Sequence, residues 1–381
     1  MSSYLYQEHH QFFAQHAGGA EEAAASELEE LGAHSLKKGH LGYYFKADSE
    51  ILYRLVYMTR ISTRILAPLI HFNCHSTNYL YKTVQQIDWT DFLTLTKTFA
   101  ITANTADSQL RNSNYAAQVL KDAIVDQFRD AYGERPNVNT RFPDLQLNLY
   151  VHKNRARISV DLGGGSLHKR GYRTERVAAP MQENVAATIL RLSEWDGSQP
   201  LFDPFCGSGT LLMEAAMKQT RLPAARFRSK FGFLRLPDFD ATLWNQIKTE
   251  ANRAVTPLSE NQISGSDIDA TAIQAASTHI AMLPDGKNIK LQTQDFRSIE
   301  SLNNNCIITN PPYGIRMESP EQTKLLLKEF GDFLKQKCTG STAFVYFGEP
   351  TLSKKLGLKP DQKWPLRTGG LEGMLCRYPL Y

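Results

Sequence analysis

The chain has 381 residues, which exceeds one ordinary hydrophobic core and predicts roughly two or three domains. Hydrophobic residues make up 42% of it and charged residues 22%, a composition that excludes a largely disordered protein. The net charge of +4 excludes a polycation, so any polyanionic partner has to be bound by local basic patches.

Membrane, secretory and metal-binding signals are weak. No stretch approaches the roughly 18 uninterrupted apolar residues of a membrane-spanning helix, and the first ten residues do not resemble a cleaved secretory signal. The five cysteines contain no CxxC pair, which argues against disulfides and cysteine zinc sites. His71, Cys74 and His75 form one cluster, but no second ligand pair follows. We therefore expect no membrane partner, no metal and a cytoplasmic location.

The first half mixes helical and strand-like patterns. A helix–loop is predicted near Trp89, and the last two strands look like a hairpin that turns at 152–154. The predicted helices cover 20–31, 51–58 and 112–128, and the predicted strands cover 41–47, 60–70, 97–103, 145–152 and 155–162.

A glycine-rich and basic stretch over 163–173 predicts a hinge, after which strands alternate with helices. That alternation is typical of a doubly wound, mostly parallel sheet. The last 20 residues predict a closing antiparallel hairpin. The predicted strands of this half cover 200–205, 262–267, 289–294, 305–309 and 342–347.

The first of these strands runs into a glycine loop and a helix, LFDPFCGSGTLLMEAAM (201–217). Gly207 and Gly209 allow a ligand to approach the backbone, and the helix that begins near Thr210 directs free N–H groups at it. Leu212 replaces the third glycine of a dinucleotide fingerprint, and Thr210 replaces the lysine of a phosphate-binding loop. An adenosine that carries a methionine tail fits this loop better.

Acidic residues follow the next two strands. Asp267 ends the second strand and is predicted to accept hydrogen bonds from a ribose diol, whereas Asp269 is better explained as a helix N-cap. Asp295 could bind an adenine amino group while Phe296 packs on the ring, although a solvated strand-end acid remains an alternative for Asp295.

The fourth strand ends in Asn310-Pro311-Pro312-Tyr313. Two consecutive prolines fix an extended turn, which holds the Asn310 amide oxygen and the Pro311 carbonyl as rigid acceptors beside the Tyr313 ring. Such a site suits the exocyclic amine of a stacked base. A purely structural turn is the alternative.

These residues carry a family resemblance. DPFCGSGT (203–210) and NPPYG (310–314) look like the motifs of class I S-adenosylmethionine-dependent methyltransferases that act on base amino groups. The first half resembles THUMP-containing RNA methyltransferases through EELGA (29–33), the helix 111–128 and RPNVN (135–139), followed by RGYR (170–173). The chain is most similar to the 23S ribosomal RNA guanine-N2 methyltransferases.

The resemblance implies an α/β protein in which a THUMP-containing RNA-binding part precedes a Rossmann-like methyltransferase domain with a seven-stranded sheet. It implies methyl transfer from S-adenosylmethionine to a guanosine N2 amine of 23S rRNA, with Asn310, Pro311, Pro312 and Tyr313 as catalytic residues. The implied division is 1–50 ferredoxin-like, 51–162 THUMP, 163–179 linker and 180–381 methyltransferase. The implied cofactor-binding residues are Asp203, Phe205, Gly207, Gly209, Thr210, Asp267, Ile268, Asp295, Phe296 and Asn310.

Basic residues predict the RNA contacts. The segment 218–235 holds six basic residues and no acids, with three phenylalanines interleaved, which suits phosphates and an unstacked base. A solvated charged face and ordinary core phenylalanines are the alternatives. The predicted RNA-binding residues are Arg111, Lys153, Arg155, Arg170, Arg173, Arg226, Arg228 and Lys230.

Three other functions remain open. The motifs do not separate ribosomal RNA or a pre-ribosomal particle from tRNA, and the tRNA guanine-N2 methyltransferases share the same architecture. NPPY would serve a DNA adenine-N6 amine equally well, although the RNA-type first half argues against that substrate. A non-catalytic ribosome-assembly factor is less well supported, because Asp203, Gly207, Gly209 and NPPY are all present.

Overall fold

A computed structural model describes residues 3–173, 181–314, 319–368 and 371–381. The described residues form two β-sheets, one from each half of the chain, and each sheet packs against its own helices. Residues 174–179 of the predicted linker lie outside the described residues.

The described part of the first half contains an eight-stranded sheet. Its strands are β1 (Gln11–Gln15), β2 (His34–Gly39), β3 (Gly42–Lys46), β4 (Arg64–Asn73), β5 (Thr98–Ala106), β6 (Asn137–Val138), β7 (Leu145–His152) and β8 (Arg155–Asp161). The spatial order is β2-β3-β1-β4-β8-β7-β5-β6. Because β1 pairs with both β3 and β4, the strands before and after residue 50 belong to one continuous sheet. The predicted β7–β8 hairpin is confirmed.

One face of this sheet forms the core of the first half. Alternate residues of its strands, such as Leu147, Leu149 and Val151 on β7, are fully buried, as expected for a sheet with one covered face. The helices of this half are α1 (Leu5–His9), α2 (Glu21–Glu30), α3 (Ser49–Met58), α4 (Thr77–Val84) and α5 (Ser113–Tyr132). Apolar residues of α2 to α5 complete the core.

The second half contains the predicted doubly wound sheet. Its strands are β9 (Leu201–Asp203), β10 (Ile263–Asp267), β11 (Lys290–Thr293), β12 (Cys306–Thr309), β13 (Thr342–Phe347), β14 (Gln362–Thr368) and β15 (Leu371–Pro379). The order is β11-β10-β9-β12-β13-β15-β14, in which the first five strands are parallel and the last two form the predicted antiparallel hairpin.

Helices cover both faces of this second sheet. They are α6 (Glu183–Leu192), α7 (Thr210–Gln219), α9 (Ala270–Ile280) and α10 (Pro320–Lys337). A further helix, α8 (Ala241–Arg253), packs on α3 and belongs to the core of the first half. On β13, Phe344 and Tyr346 face the core formed with α6 and α7, whereas Val345 and Phe347 face the core formed with α10. The chain proceeds outward from β9 in one direction and from β12 in the other, so the strand order reverses between these neighbours.

Several elements were missed in the sequence. The strand β2 is polar and mostly exposed, and β1 is short and flanked by glutamines, so neither gives a clear alternating pattern. Helices α1 and α4 are also short, with five and eight residues. These elements are stabilised mainly by pairing with distant strands and by packing on the sheet, and neither leaves a periodic pattern in the local sequence.

The segment 218–235 joins the two halves. Phe231 and Phe233 stack on each other with ring centroids 5.1 Å apart, and Phe233 stacks on Tyr53 of α3 at 4.9 Å. The backbone N–H groups of 232 and 233 both donate to the Leu162 carbonyl. Because Phe231 and Phe233 are buried in the first core, the ordinary-core alternative holds for them and a base-stacking role is wrong.

Arg170 lies at the centre of this junction and is 1% exposed. Its guanidinium donates to Glu214 Oε1 at 3.2 Å, to the Arg60 carbonyl at 2.5 Å and to the Leu167 carbonyl at 2.9 Å. The bonds connect the end of α3, the hinge and α7. The predicted RNA contact for Arg170 is therefore wrong, because its charge is buried and paired inside the protein.

Arg170→Ala is expected to destabilise the protein by about 3–5 kcal/mol, because Glu214 would remain as a buried charge without its partner. Replacing both residues, as Arg170→Met with Glu214→Leu, should cost less than the single change, since no unpaired charge remains. Urea unfolding of the three proteins measures this. A double variant as unstable as Arg170→Ala would contradict it.

Candidate functional site

The candidate site lies where the strand order reverses, at the carboxyl ends of β9, β10 and β12. Open α/β sheets form ligand crevices at this position, because the connections leave the sheet toward opposite faces. The cavity here measures about 410 Å³. It is lined by Phe205, Gly207, Asp267, Ile268, Asp269, Ala272, Gln294, Asp295, Phe296, Arg297, Asn310, Pro312 and Leu326.

The glycine loop forms one wall of this cavity. Gly207 and Gly209 both have positive φ, at 52° and 78°, which suits glycine. A Cβ at position 207 would have no heavy atom within 4 Å, so that backbone is open to a ligand. A Cβ at position 209 would lie 3.1 Å from the Ala276 Cβ, so Gly209 lets α7 approach α9 closely.

Asp267 is fixed by the backbone around it. Its Oδ2 accepts a 2.9 Å hydrogen bond from the Gly207 N–H, and its Oδ1 accepts a 3.0 Å bond from the Asp269 N–H. Each carboxylate oxygen keeps a second lone pair, so the side chain can still accept hydrogen bonds from a ligand. As predicted from the sequence, Asp269 is an N-cap, and it accepts from the Thr271 N–H.

Asp203 lies beneath the loop and connects β9 with β12. The Thr309 hydroxyl donates to its Oδ1 at 2.5 Å, and the Phe205 N–H donates to the same oxygen at 3.1 Å. Burial raises the pKa of Asp203 to about 7, the two hydrogen bonds oppose that rise, and the nearby Asp267 adds to it. Asp203 therefore positions the loop from below and does not line the cavity.

Asn310 follows β12 and carries an unpaired acceptor. It is 9% exposed, and its Oδ1 is buried without a hydrogen-bond partner among the described residues. Burial without a partner costs about 1–3 kcal/mol, so such an atom indicates a ligand donor. Asn310 and Pro312 line the same cavity as Asp267.

Tyr313 lies on the far side of the two prolines and is half-buried. Its ring contacts the backbone just after β13, because a Cβ at Gly348 would lie 2.0 Å from the Tyr313 Cζ. Gly348 thus leaves the space that the phenol occupies. Nothing in the sequence pattern indicated a role for Gly348.

The opposite wall of the cavity is apolar. Phe296 is buried, and its ring centroid lies 5.2 Å from that of Phe205, while Ile268 is 70% exposed at the cavity. Asp295 accepts from the Arg297 N–H at 2.9 Å and from Arg297 Nη1 at 2.7 Å. Arg297 thus holds Asp295 beside the cavity, and the adenine contact of Asp295 stays a prediction.

Polar groups are buried behind the loop. Arg173 donates to the Thr210 hydroxyl at 2.9 Å and to the Met181 carbonyl at 3.0 Å, and it lies 3.5 Å from the Glu183 carboxylate. Asn184 is fully buried, and neither side-chain atom of its amide has a partner among the described residues. The predicted RNA contact of Arg173 is therefore wrong, because its guanidinium bonds inside the protein to groups around the start of α7.

The other predicted RNA contacts separate into two groups. Arg228 donates to three carbonyls of the hinge, those of 163, 166 and 169, so its assignment to RNA is also wrong. The remaining five are exposed, and Lys230 lies 3.7 Å from Asp144. These five residues are Arg111, Lys153, Arg155, Arg226 and Lys230.

Three residues that line the cavity were not predicted from the sequence, because they lie outside the recognised motifs. Leu326 lies in the middle of α10. Ala272 and Gln294 follow β10 and β11, where the sequence analysis singled out the neighbouring acids instead. Thr309 could have been found, because it directly precedes the NPPY motif on a buried strand.

No helix among the described residues is long and apolar enough to cross a membrane. Within the same residues, no group of three or more histidines, cysteines, aspartates or glutamates could hold a metal ion.

Three family models match successive parts of the chain. The family described as RMKL-like, methyltransferase domain, matches residues 170–377. The THUMP domain matches residues 74–161, and the RlmL ferredoxin-like domain matches residues 11–66.

Individual relatives cover almost the whole chain. A candidate RNA methyltransferase of Synechocystis sp. (strain ATCC 27184 / PCC 6803 / Kazusa), slr0064, is 36% identical over 97% of this chain and 97% of its own. The crystal structure of SMU.472, a candidate methyltransferase complexed with SAH, is 28% identical with a TM-score of 0.84, covering 97% of this chain and 98% of that chain. The structure of a predicted N6-adenine-specific DNA methylase from Listeria monocytogenes str. 4b F2365 is 25% identical with a TM-score of 0.81, covering 97% and 95%.

The raised pKa of Asp203 predicts a pH-dependent stability. Between about pH 4 and pH 7 the folded protein keeps a proton on Asp203 that the unfolded chain loses, so its contribution to stability falls as pH rises through this window. Asp203→Asn removes that dependence. The free energy of unfolding of the Asp203→Asn variant, relative to that of the wild type, should therefore increase from pH 4 to pH 7 by no more than about 4 kcal/mol. Above pH 7 the difference should stay constant.

Thermal unfolding of both proteins across pH 4–9 measures this difference. Asp196→Asn is the control, because Asp196 is exposed and its pKa is lowered rather than raised. A difference between Asp203→Asn and the wild type that does not change with pH would show that Asp203 is ionised throughout.

Proposed function

The chain belongs to the RMKL-like methyltransferase family, and from this premise we propose that it methylates the N2 amine of a guanosine in 23S rRNA. Its methyl donor is S-adenosylmethionine, as the family and its SAH-bound neighbour indicate. The single observation that supports an amine substrate best is the buried, unpaired Asn310 oxygen in the cavity that also holds Asp267.

The cavity fits the proposed cofactor in two places, and a third contact is proposed behind the glycine loop. Asp267 offers its remaining lone pairs to the ribose hydroxyls, and the open backbone at Gly207 allows the sugar to approach. Ile268, Phe296 and Phe205 offer an apolar surface to the adenine ring. We propose that the unpaired amide of Asn184, behind the loop, helps to hold the methionine end.

The target amine would be held by Asn310 and by the Pro311 carbonyl. When bound, S-adenosylmethionine would supply an electrophilic methyl group and would leave as S-adenosylhomocysteine. As positive charge develops on that nitrogen, the Asn310 oxygen accepts a progressively stronger hydrogen bond from it. The amine loses its proton after the transfer, so the site does not require a strong general base.

We propose that Tyr313 binds the face of the guanine after the base leaves its stack. Its ring is backed by the chain at Gly348, which gives the ring a fixed position from which to receive the base. Tyr346 lies in the same region, and burial together with Tyr313 raises its pKa to about 12, so it remains neutral at physiological pH.

RNA as the substrate is supported by the THUMP domain match and by the description of the Synechocystis relative. A tRNA guanosine fits the same chemistry. Adenine-N6 methylation of DNA is the second candidate, favoured by the description of the Listeria relative. A non-catalytic assembly factor would not explain why the acceptor of Asn310 is left open at a formed cavity.

We also propose the division at residues 50, 162 and 179 and a cytoplasmic location. The five cysteines are free and buried, which supports a reducing compartment.

The discriminating experiment is nucleoside mass analysis after incubation with S-adenosylmethionine and total RNA or DNA. N2-methylguanosine in RNA supports the proposal, N6-methyladenine in DNA supports the second candidate, and no product supports the assembly factor.

Asp267→Ala is expected to weaken binding of S-adenosylhomocysteine about tenfold to a hundredfold, because buried ribose hydroxyls lose an acceptor worth roughly 1–3 kcal/mol. Titration calorimetry measures this. Asp269→Ala is the matched control: its carboxylate lines the same cavity but is engaged by the Thr271 N–H as the N-cap of α9, so affinity should change little while stability falls by about 1 kcal/mol. Equal affinities for both variants would remove Asp267 from the ribose site.

Asn310→Ala is expected to lower the single-turnover rate on the order of 10²–10³-fold while cofactor affinity stays nearly unchanged, because the lost bond strengthens only in the transition state. Asn303→Ala, an exposed asparagine before β12, is the control. Full activity of Asn310→Ala would mean that NPPY is only a structural turn.

Tyr313→Ala should weaken capture of the extruded base, whereas Tyr313→Phe should keep most activity because the ring face is retained. Gly348→Ala tests the same ring from behind, since the added methyl group has to displace the phenol. A Tyr313→Phe variant as inactive as Tyr313→Ala would assign proton or hydrogen-bond chemistry to the hydroxyl instead.

A further inference from the structure

The first sheet has a second face that carries two adjoining cavities. In the described part of the chain, α2 to α5 pack on the opposite face, and the cavities measure about 520 and 310 Å³. They share Tyr44, Tyr150 and Arg157 as lining residues, so they form one continuous groove across the strands. We call this surface the sheet-face groove.

The register of the strands aligns polar and aromatic side chains along this groove. Asn104 of β5 pairs with Tyr150 of β7, Tyr150 pairs with Arg157 of β8, and Arg157 pairs with His71 of β4. Directly paired residues lie on the same face of a sheet, so these four side chains form one row over four strands. The next row includes His152 paired with Arg155.

Arg157 is held rigidly at the centre of the row. Its guanidinium carbon lies 4.7 Å from the Phe13 ring centroid, 5.2 Å from that of Tyr44 and 5.8 Å from that of Tyr150. Its Nη1 donates to the Tyr44 hydroxyl at 2.7 Å. Among the described residues, no carboxylate lies within 4 Å of this guanidinium, and its Nε has no hydrogen-bond partner.

The charges of the groove are mainly positive. Arg155 is exposed at the rim of the groove, and His71 is exposed in the middle. Partial burial of the imidazole lowers the pKa of His71, and the charges of Arg157 and Arg155 lower it further. The acids near this surface lie at its edges. Asp107 is 3.4 Å from His152, and Glu8 is 3.9 Å from His9.

We propose that the sheet-face groove binds an unpaired stretch of the RNA substrate, with a base stacked on Tyr150 and Arg157 and the phosphates beside Arg155. The proposal rests on RNA being the substrate and assigns a surface apart from the methyl-transfer cavity. Rigid rings and a planar guanidinium suit the faces of unstacked bases, while a guanidinium without a carboxylate partner suits a phosphate. A duplex hides its base faces, so it cannot use the rings inside the groove.

The test uses the full-length protein and a fluorescein-labelled 12-nucleotide single-stranded RNA, with a blunt RNA duplex of equal length for comparison. The variant is Tyr150→Ala with Arg155→Ala. We expect its Kd for the single strand to rise at least tenfold and its salt dependence to flatten by about one ion, because one phosphate contact is lost. Affinity for the duplex should change less than threefold. Tyr150→Phe should bind like the wild type.

The matched control is Tyr132→Ala with Arg129→Ala, which removes the same two residue types from exposed positions on α5, on the covered side of the sheet. It should bind RNA within twofold of the wild type, and both double variants should bind S-adenosylhomocysteine normally. Unchanged single-strand affinity of the groove variant, or an equal loss for the control or the duplex, would overturn the proposal.

This outcome is independent of the methylated product. If the wild type forms no N2-methylguanosine but the groove variant alone loses single-stranded RNA, the proposed reaction fails and the groove stands. If the product forms and the groove variant binds RNA like the wild type, the groove fails and the proposed reaction stands.

Discussion

The pairing of β9 with β12 is the constraint on which the site depends. Cys306 pairs with Leu201 in parallel, so both strands end at the same edge of the sheet although about 100 residues separate them. The Thr309 hydroxyl bonded to Asp203 fixes this edge beneath the glycine loop. The Asp267 carboxylate and the unpaired Asn310 oxygen then lie at the same cavity.

The two halves of the chain are joined by buried polar bonds inside an aromatic junction. Arg170 bonds to Glu214 and to backbone of the first half, while Phe233 packs on Tyr53. Removing these groups from water is costly unless every bond is made, so the junction favours one arrangement of the halves. A fixed arrangement matters for the proposed reaction, because the proposed RNA groove and the proposed methyl-transfer cavity lie on different sheets.

The sequence was informative wherever function requires a local pattern. A strand, a glycine loop and a helix predicted a ligand-binding surface that forms one wall of the cavity, and Asn310 with two prolines predicted an acceptor that lies at the same cavity. Basic composition was a poor guide, because Arg170, Arg173 and Arg228 look alike in sequence and only tertiary packing buries or pairs them. Residues that meet across distant strands, such as Gly348 behind Tyr313, leave no local signal.

The fate of those arginines also explains how a chain with little excess charge could bind a polyanion. Arg170 is paired with the buried Glu214, so the pair adds no net charge, and Arg228 is directed at carbonyls of the hinge rather than at the surface. Arg157 has no such carboxylate and rests on aromatic rings, which keep it in place without cancelling its charge. Attraction for phosphate therefore depends on where guanidiniums lack acids rather than on their number, and the face of the first sheet meets that condition at Arg157.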